Sequence, residues 1–308
     1  DILIMGTRTQ FELLVPKLKA QPFGLKELAG LLTDTFKKLD NPVRNIKIGK
    51  KNFNLLKRPL LMGILNVTPD SFSDGGKFFS PKQAIVRAKK MLAEGADLID
   101  IGAESTRPGA PEISAQEELR RLIPVIKELR KNPKIIISVD TTKALVAEKC
   151  LKLGVHLIND VSGLKADKKM AKVIARYKVP VVLMHRSAKS KTMQKKTTYN
   201  DFIPDIIDSL RESVELAVKA GISLKNIVVD PGIGFGKTTE QNLEIIQRLN
   251  EFKLLGFPIM LGASRKSVIG NILDLPVDER LAGTIALNVL GMARGANILR
   301  VHDVKKTL

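Results

Sequence analysis

The sequence predicts the α/β class: a closed barrel of alternating strands and helices, the (β/α)8 or TIM barrel, with a small N-terminal α/β extension. Three observations predict it. From Leu60 onward, short apolar runs alternate with stretches of helical periodicity, and nowhere do strands follow one another directly. Eight such runs occur in the roughly 250 residues that an eightfold barrel occupies. Each run ends in polar residues, at the rim where barrels carry their sites.

The elements follow in order. Residues 1–57 read as an extension that packs or docks rather than catalyses. Thr9 with Glu12 has the spacing of a capping box, and Phe11, Leu14, Val15 and Leu18 follow at helical intervals. Gly24 opens a second amphipathic stretch through Leu25, Leu28, Ala29, Leu32 and Phe36, which Asn41-Pro42 breaks. Ile46 and Ile48 alternate with lysines as in a half-exposed strand.

The barrel is expected over 58–308. Its first strand starts at Leu60 and turns polar at Asn66, followed by a loop rich in Pro, Asp, Ser and Gly. Ser80-Pro81 with Gln83 starts a helix that Gly95 ends. Further strands are expected at 97–102, 134–139, 155–159, 179–184, 226–230, 257–262 and 297–301. The helices between them begin at Ser114 and span 142–154, 168–177, 200–220, 239–250 and 278–293. An open doubly wound sheet would need a dinucleotide or P-loop motif. Residues 231–238 imitate both, but Pro231 replaces the leading glycine of one and Lys237 the last glycine of the other. What remains is a glycine-rich loop that comes close to a ligand.

Composition narrows the class. The 308 residues are 44% hydrophobic with no Trp and two Tyr, so the core is aliphatic, as parallel strands prefer. No apolar run is long enough to cross a bilayer and no signal-peptide pattern is present, which excludes a membrane role and predicts a cytoplasmic protein. The single cysteine, Cys150, reads as a small buried hydrophobe. The net charge of +19 is spread along helix faces with few aromatics, a solvated surface rather than a nucleic-acid groove.

The rim residues are Asn66, Asp100 with Glu104, Asp140, Asn159-Asp160, His185, Asp230, Ser264-Arg265-Lys266 and Arg300-Val301-His302. Asp140, Asn159 and Asp230 offer the acceptors and amide that an amino-substituted nitrogen heterocycle needs. Lys266, Arg300 and His302 follow the last two strands, where barrels hold phosphate. Asn66 with nearby anionic oxygens suits Mg²⁺. No Cys/His spacing supports zinc, and no nucleophile has an adjacent base. The chemistry indicated is displacement of a phosphate-type leaving group.

Residues 62–76 resemble the first loop of the dihydropteroate synthases, the folate-pathway transferases that sulfonamides target. So do residues 102–109, 138–141, 158–163, 230–237, 262–267 and 300–304. The resemblance implies condensation of 7,8-dihydropterin-6-ylmethyl diphosphate with 4-aminobenzoate, with Mg²⁺, releasing pyrophosphate and forming 7,8-dihydropteroate. It implies that Asp140, Asn159, Asp230 and Lys266 grip the pterin, with Arg300 over its ring. Asn66, Thr106, Arg300 and His302 would hold the diphosphate and metal. Phe72, Arg107, Pro108, Phe235, Ser264 and Lys266 would form the aminobenzoate pocket, and the loops carrying Asp70 and Arg107 would close over it. The chain departs from the family at 185–190, at its N-terminal extension, and at Leu308, where the family's eighth helix and usual homodimer contact would follow. The nearest alternatives are a pterin-dependent methyltransferase and a non-catalytic pterin-binding paralogue.

Overall fold

The computed structural model describes residues 4–41, 43–68, 81–105, 111–187 and 197–308. The chain opens with a helical hairpin, α1 (Arg8–Lys19) and α2 (Leu25–Asp40), then a two-stranded antiparallel ribbon, β1 (Asn45–Ile48) and β2 (Lys51–Asn54). The cap of α1 is Thr7, not Thr9: its hydroxyl accepts from Gln10 N, and Gln10 Oε1 accepts from Thr7 N at 2.7 Å. Glu12 instead pairs with Arg8 at 2.8 Å, one turn away. Gly24 precedes α2 in a left-handed conformation, with φ +77°.

Eight parallel strands then close on themselves: β3 (Leu60–Asn66), β4 (Leu98–Gly102), β5 (Ile137–Asp140), β6 (Leu157–Asp160), β7 (Val181–Met184), β8 (Ile227–Asp230), β9 (Ile259–Leu261) and β10 (Ala296–Val301), with β10 pairing to both β3 and β9. Between them lie α3 (Pro81–Ala93), α4 (Ala115–Arg130), α5 (Ala144–Lys152), α6 (Met170–Tyr177), α7 (Phe202–Lys219), α8 (Thr239–Gln247), α9 (Ser267–Leu273) and α10 (Leu281–Ala293), and α11 (Val304–Thr307) follows β10. The expected helix at 239–250 ends earlier, at Gln247, and continues as a 3-10 segment, Leu249–Leu255, which Gly256 stops at φ +81°. Both β2 and α9 went unanticipated. No helix among the described residues is long and apolar enough to cross a membrane.

Strand residues alternate between two burials. One set, including Leu61, Leu65, Ile99, Ile101, Val139 and Ile158, packs outward under the helices. The other set points into the barrel. Its lower members, Leu60, Met62, Leu98, Ile136, Leu157, Val182, Val228, Met260 and Ile298, form an apolar floor. Ile46, Ile48 and Leu55 belong to the same cluster, so the β1–β2 ribbon covers the end of the barrel away from the polar rim. Its Gly49 turns at φ +61°, where a Cβ would come within 2.6 Å of the His156 ring. Truncating Ile48, which is 0% exposed, to alanine should therefore cost about 2–5 kcal/mol in urea denaturation, with the activity of the folded fraction unchanged. A fall in that activity would contradict a purely structural role for the ribbon.

Cys150 is fully buried in α5, and burial pushes its thiol up to about 12.

Candidate active site

The inward-facing parity that builds the floor also builds the site, two or four residues further along each strand. Asn66, Asp100, Asp140, Asn159, Asp230 and Arg300 all fall on it. In register, Asn66 pairs with Gly102, Gly102 with Asp140, and Asp140 with Asn159, so these positions lie at one level of the wall. Gly102 leaves the space between two of them: a Cβ there would sit 3.6 Å from Asn66 Oδ1 and 3.8 Å from Asp140 Oδ2. Gly262 does the same between Arg300 and Asp230 Oδ2.

Arg300 links the group. Its Nε donates to Asp100 Oδ2 at 2.7 Å and its Nη2 to Asp140 Oδ2 at 2.9 Å. Asn159 Nδ2 donates to the same Asp100 oxygen at 3.0 Å. Asp100 Oδ1, Asn159 Oδ1 and Ser138 Oγ are buried without a partner. Buried polar atoms are rarely left so; the two carbonyl-type oxygens are acceptors and the hydroxyl can accept or donate, a set on the inward parity that suits a ligand rich in N–H donors. Burial raises the Asp140 carboxyl above its ordinary range, with Arg300 opposing, and raises Asp230 likewise, with Lys266 opposing. Asp230 Oδ1 is already taken by Gly232 N at 2.7 Å.

Beyond β9, between the strands that carry Asp230 and Arg300, Lys266 precedes α9. Its Nζ donates to the Ile233 carbonyl and lies 4.3 Å from the centre of the Phe235 ring, a cation–π contact. Burial lowers its pKa to about 8. Ser264 Oγ and His302 Nδ1 are 3.0 Å apart, and Ser264 Oγ also accepts from His302 N at 3.2 Å. Burial, with Arg300 and Arg265 nearby, pushes His302 down to about 3, which favours the neutral imidazole. Arg265, at φ +55°, is turned away from the site and pairs with Asp303 at 2.6 Å, fixing the loop that presents Lys266.

The structure thus brings together Asn66, Asp140, Asn159, Asp230, Phe235, Ser264, Lys266, Arg300 and His302 around one barrel mouth. Asp70, Phe72, Thr106, Arg107 and Pro108 lie outside the described residues. The base of the second loop is visible, however. Lys143 Nζ donates to Glu104 Oε2 at 2.6 Å and to the buried Glu118 at 2.8 Å, and Glu104 Oε1 accepts from Ile113 N at 3.0 Å. Asp160, a rim residue by sequence, proves structural: its carboxylate takes Ser162 N, Ser162 Oγ and Leu164 N at 2.6–3.0 Å. Two residues were given no role by the sequence. Asp100, named at the rim with Glu104, sits below it, on the inward parity of Leu98 and Gly102. Lys237, dismissed with the false P-loop, is discussed below.

Among the described residues no group of three or more His, Cys, Asp or Glu side chains could hold a metal ion. The half-buried Asn66 carbonyl, beside the Asp140 carboxylate, fits an ion of the Mg²⁺ type. Such an ion takes few protein oxygens and completes its shell with water and substrate phosphate.

Comparison with known proteins shows the family. The family model "Pterin binding enzyme" matches residues 62–302. The dihydropteroate synthase of Clostridium beijerinckii is 50% identical over 260 residues, covering 84% of this chain and 94% of its own. Among solved structures, the Yersinia pestis dihydropteroate synthase with a sulfonamide drug superposes with TM-score 0.82 at 42% identity, covering 85% of this chain and 95% of that one. The Xanthomonas albilineans dihydropteroate synthase with 4-aminobenzoic acid superposes with TM-score 0.79 at 40% identity, covering 86% and 94%. The family model and these relatives, matched over most of their own length, show that the chain belongs to the dihydropteroate synthase family of pterin-binding enzymes.

Proposed function

We propose that the inward ring from Asp100 to Arg300 is the pterin site of this synthase and that the Lys266 side of the mouth receives the aminobenzoate. Members of the family are transferases that condense 7,8-dihydropterin-6-ylmethyl diphosphate with 4-aminobenzoate and release pyrophosphate, and this chain performs that reaction. The observation that carries the placement is the unsatisfied acceptor set, Asp100 Oδ1 and Asn159 Oδ1, beside the carboxylates of Asp140 and Asp230. A pterin offers amino and ring N–H donors that match it. Arg300, Lys266 and His302 supply the cationic and hydrogen-bonding groups that face the departing diphosphate, and preorganised charge of this kind stabilises the transition state most. Asn66 would hold Mg²⁺, which neutralises charge on the leaving group. Asp70, Phe72, Thr106, Arg107 and Pro108 complete the proposal on family resemblance.

The first experiment is pyrophosphate release from the dihydropterin diphosphate with Mg²⁺, with and without 4-aminobenzoate. Release coupled to dihydropteroate formation, and lost in Asp140→Ala, supports the placement. Pterin binding without release would favour the methyltransferase or the non-catalytic paralogue.

A homodimer belongs to the same proposal. Leu243 of α8, Ile272 and Leu273 of α9, and Val289, Leu290 and Met292 of α10 are 38–52% exposed on three helices that pack together. A second copy would cover this apolar face. Light scattering should give twice the chain mass, reverting to the single mass in Leu290→Glu. A cytoplasmic location suits a chain whose one cysteine is a buried free thiol.

A further inference from the structure

We propose that Lys237 is a positioning residue for the aminobenzoate half of the reaction: its buried ammonium ties the loop 232–236 to the end of β7 and so sets Phe235 against Lys266. The inference rests on the synthase reading above.

Lys237 is 4% exposed, which is rare for a lysine. Its Nζ donates to the Gly232 carbonyl at 3.0 Å and the Phe235 carbonyl at 3.1 Å, and lies 2.9 Å from His185 Nδ1. An ammonium has three N–H donors and no acceptor, and it meets three neutral acceptors here. The tie uses the full donor set of the charged form, the one that prevails below the pKa of about 7 to which burial lowers this lysine.

The loop needs such a tie. Gly232, Gly234 and Gly236 all have positive φ, between +68° and +80°, so the backbone has little stiffness of its own. Gly232 is pressed against the neighbouring strand end, since a Cβ there would stand 2.0 Å from the His185 carbonyl oxygen. Other bonds hold the glycines: Asp230 takes Gly232 N at 2.7 Å, Asn242 takes Gly234 N at 2.6 Å, and Tyr199 donates to Gly236 O at 3.0 Å. Lys237 holds the Phe235 carbonyl. The Phe235 ring packs with Val161 and Met184 and meets Lys266 Nζ at 4.3 Å. Letting that carbonyl go would move the ring and, with it, the Ile233 carbonyl that Lys266 grips.

The electrostatic surroundings agree with a group held at cost. Burial lowers the Lys237 pKa to about 7, with Asp230 favouring the charge and Lys266 opposing it. Burial also keeps the His185 imidazole well below its usual range, with Lys237 and Lys165 contributing, so His185 stays neutral and free to accept. A buried cation without a counter-ion in contact is not a favourable way to stabilise a fold. Its geometric precision is the return.

The test separates the two substrates. Lys237→Met should raise KM for 4-aminobenzoate about tenfold or more, the worth of one to two charge-assisted hydrogen bonds. The Kd of the dihydropterin diphosphate, measured by titration calorimetry, should stay within about twofold. Lys237→Gln, which keeps two donors, should fall between Met and wild type and serves if the methionine variant does not fold. An unchanged aminobenzoate KM would overturn the proposal, and so would equal loss of both constants, which marks a general structural role. Wild-type protein that fails to bind the pterin diphosphate would instead overturn the synthase placement itself.

Discussion

Replacing Arg300 with methionine should destabilise the chain by about 3–5 kcal/mol, the usual cost of removing one partner from a buried ion pair. The guanidinium is the direct counter-charge of both Asp100, which is fully buried, and Asp140. Without it, two carboxylates share one wall with Asn159 and a row of aliphatic side chains. The deficit should depend on pH in a fixed sense. A carboxyl whose folded pKa is raised favours the folded state below its unfolded value and loses that advantage as pH rises. The Asp140 pKa is already raised by burial, and removing Arg300 takes away the charge that opposes the rise. The stability gap between Arg300→Met and wild type should thus be widest near neutrality and shrink as pH falls toward about 4. Urea denaturation across that range checks it, and the double variant Arg300→Met, Asp100→Asn should recover part of the loss. A gap that stays constant with pH would mean that the carboxylates are not what the arginine stabilises.

Lys266→Ala should act on rate rather than fold. The side chain is half-buried at the mouth, so its removal leaves no closed cavity, and stability should change by less than about 1 kcal/mol. Its ammonium, however, bonds the Ile233 carbonyl and covers Phe235, at the point where both substrates would meet. Loss of one such preorganised contact costs about tenfold to a thousandfold in kcat/KM. The wild-type rate should also decline as pH rises through about 8, where burial places the Lys266 pKa and the ammonium gives up its proton. In Lys266→Arg the residual rate should lack that decline, because a guanidinium stays charged. A wild-type alkaline limb that survives unaltered in Lys266→Arg would assign it to another group.

These two residues show what the sequence could and could not reveal. The barrel was legible because each strand is a short aliphatic run with its own flanking helix, and fully buried parallel strands read in that way. Lys266 and Arg300 were legible because they end such runs. Asp100 was named at the rim but given no role. It lies inside its strand, and only the inward parity of Leu98 and Gly102 shows that it faces the barrel rather than capping a helix. Lys237 served only to reject a dinucleotide motif and was given no role of its own; the sequence carries no sign that the side chain turns back into its own loop. The helix α9 was missed because seven residues give too few turns for a periodic signal, and β2 because its four residues lack apolar alternation. The α1 cap shifted by two residues because Thr7 with Gln10 and Thr9 with Glu12 have the same spacing, and only the side-chain bonds separate them.

The lone thiol of Cys150, on the buried face of α5 and pushed up to about 12, offers a practical advantage. Alkylating reagents and maleimide probes attack thiolates, and this one neither ionises at neutral pH nor meets solvent. The native chain is thereby a blank background for chemical labelling. A single cysteine placed on an exposed position, such as Lys82 at the start of α3 or Glu240 at the start of α8, would be the one reactive thiol in these 308 residues. A fluorophore attached there could report substrate arrival at the barrel mouth, with no endogenous cysteine to remove first.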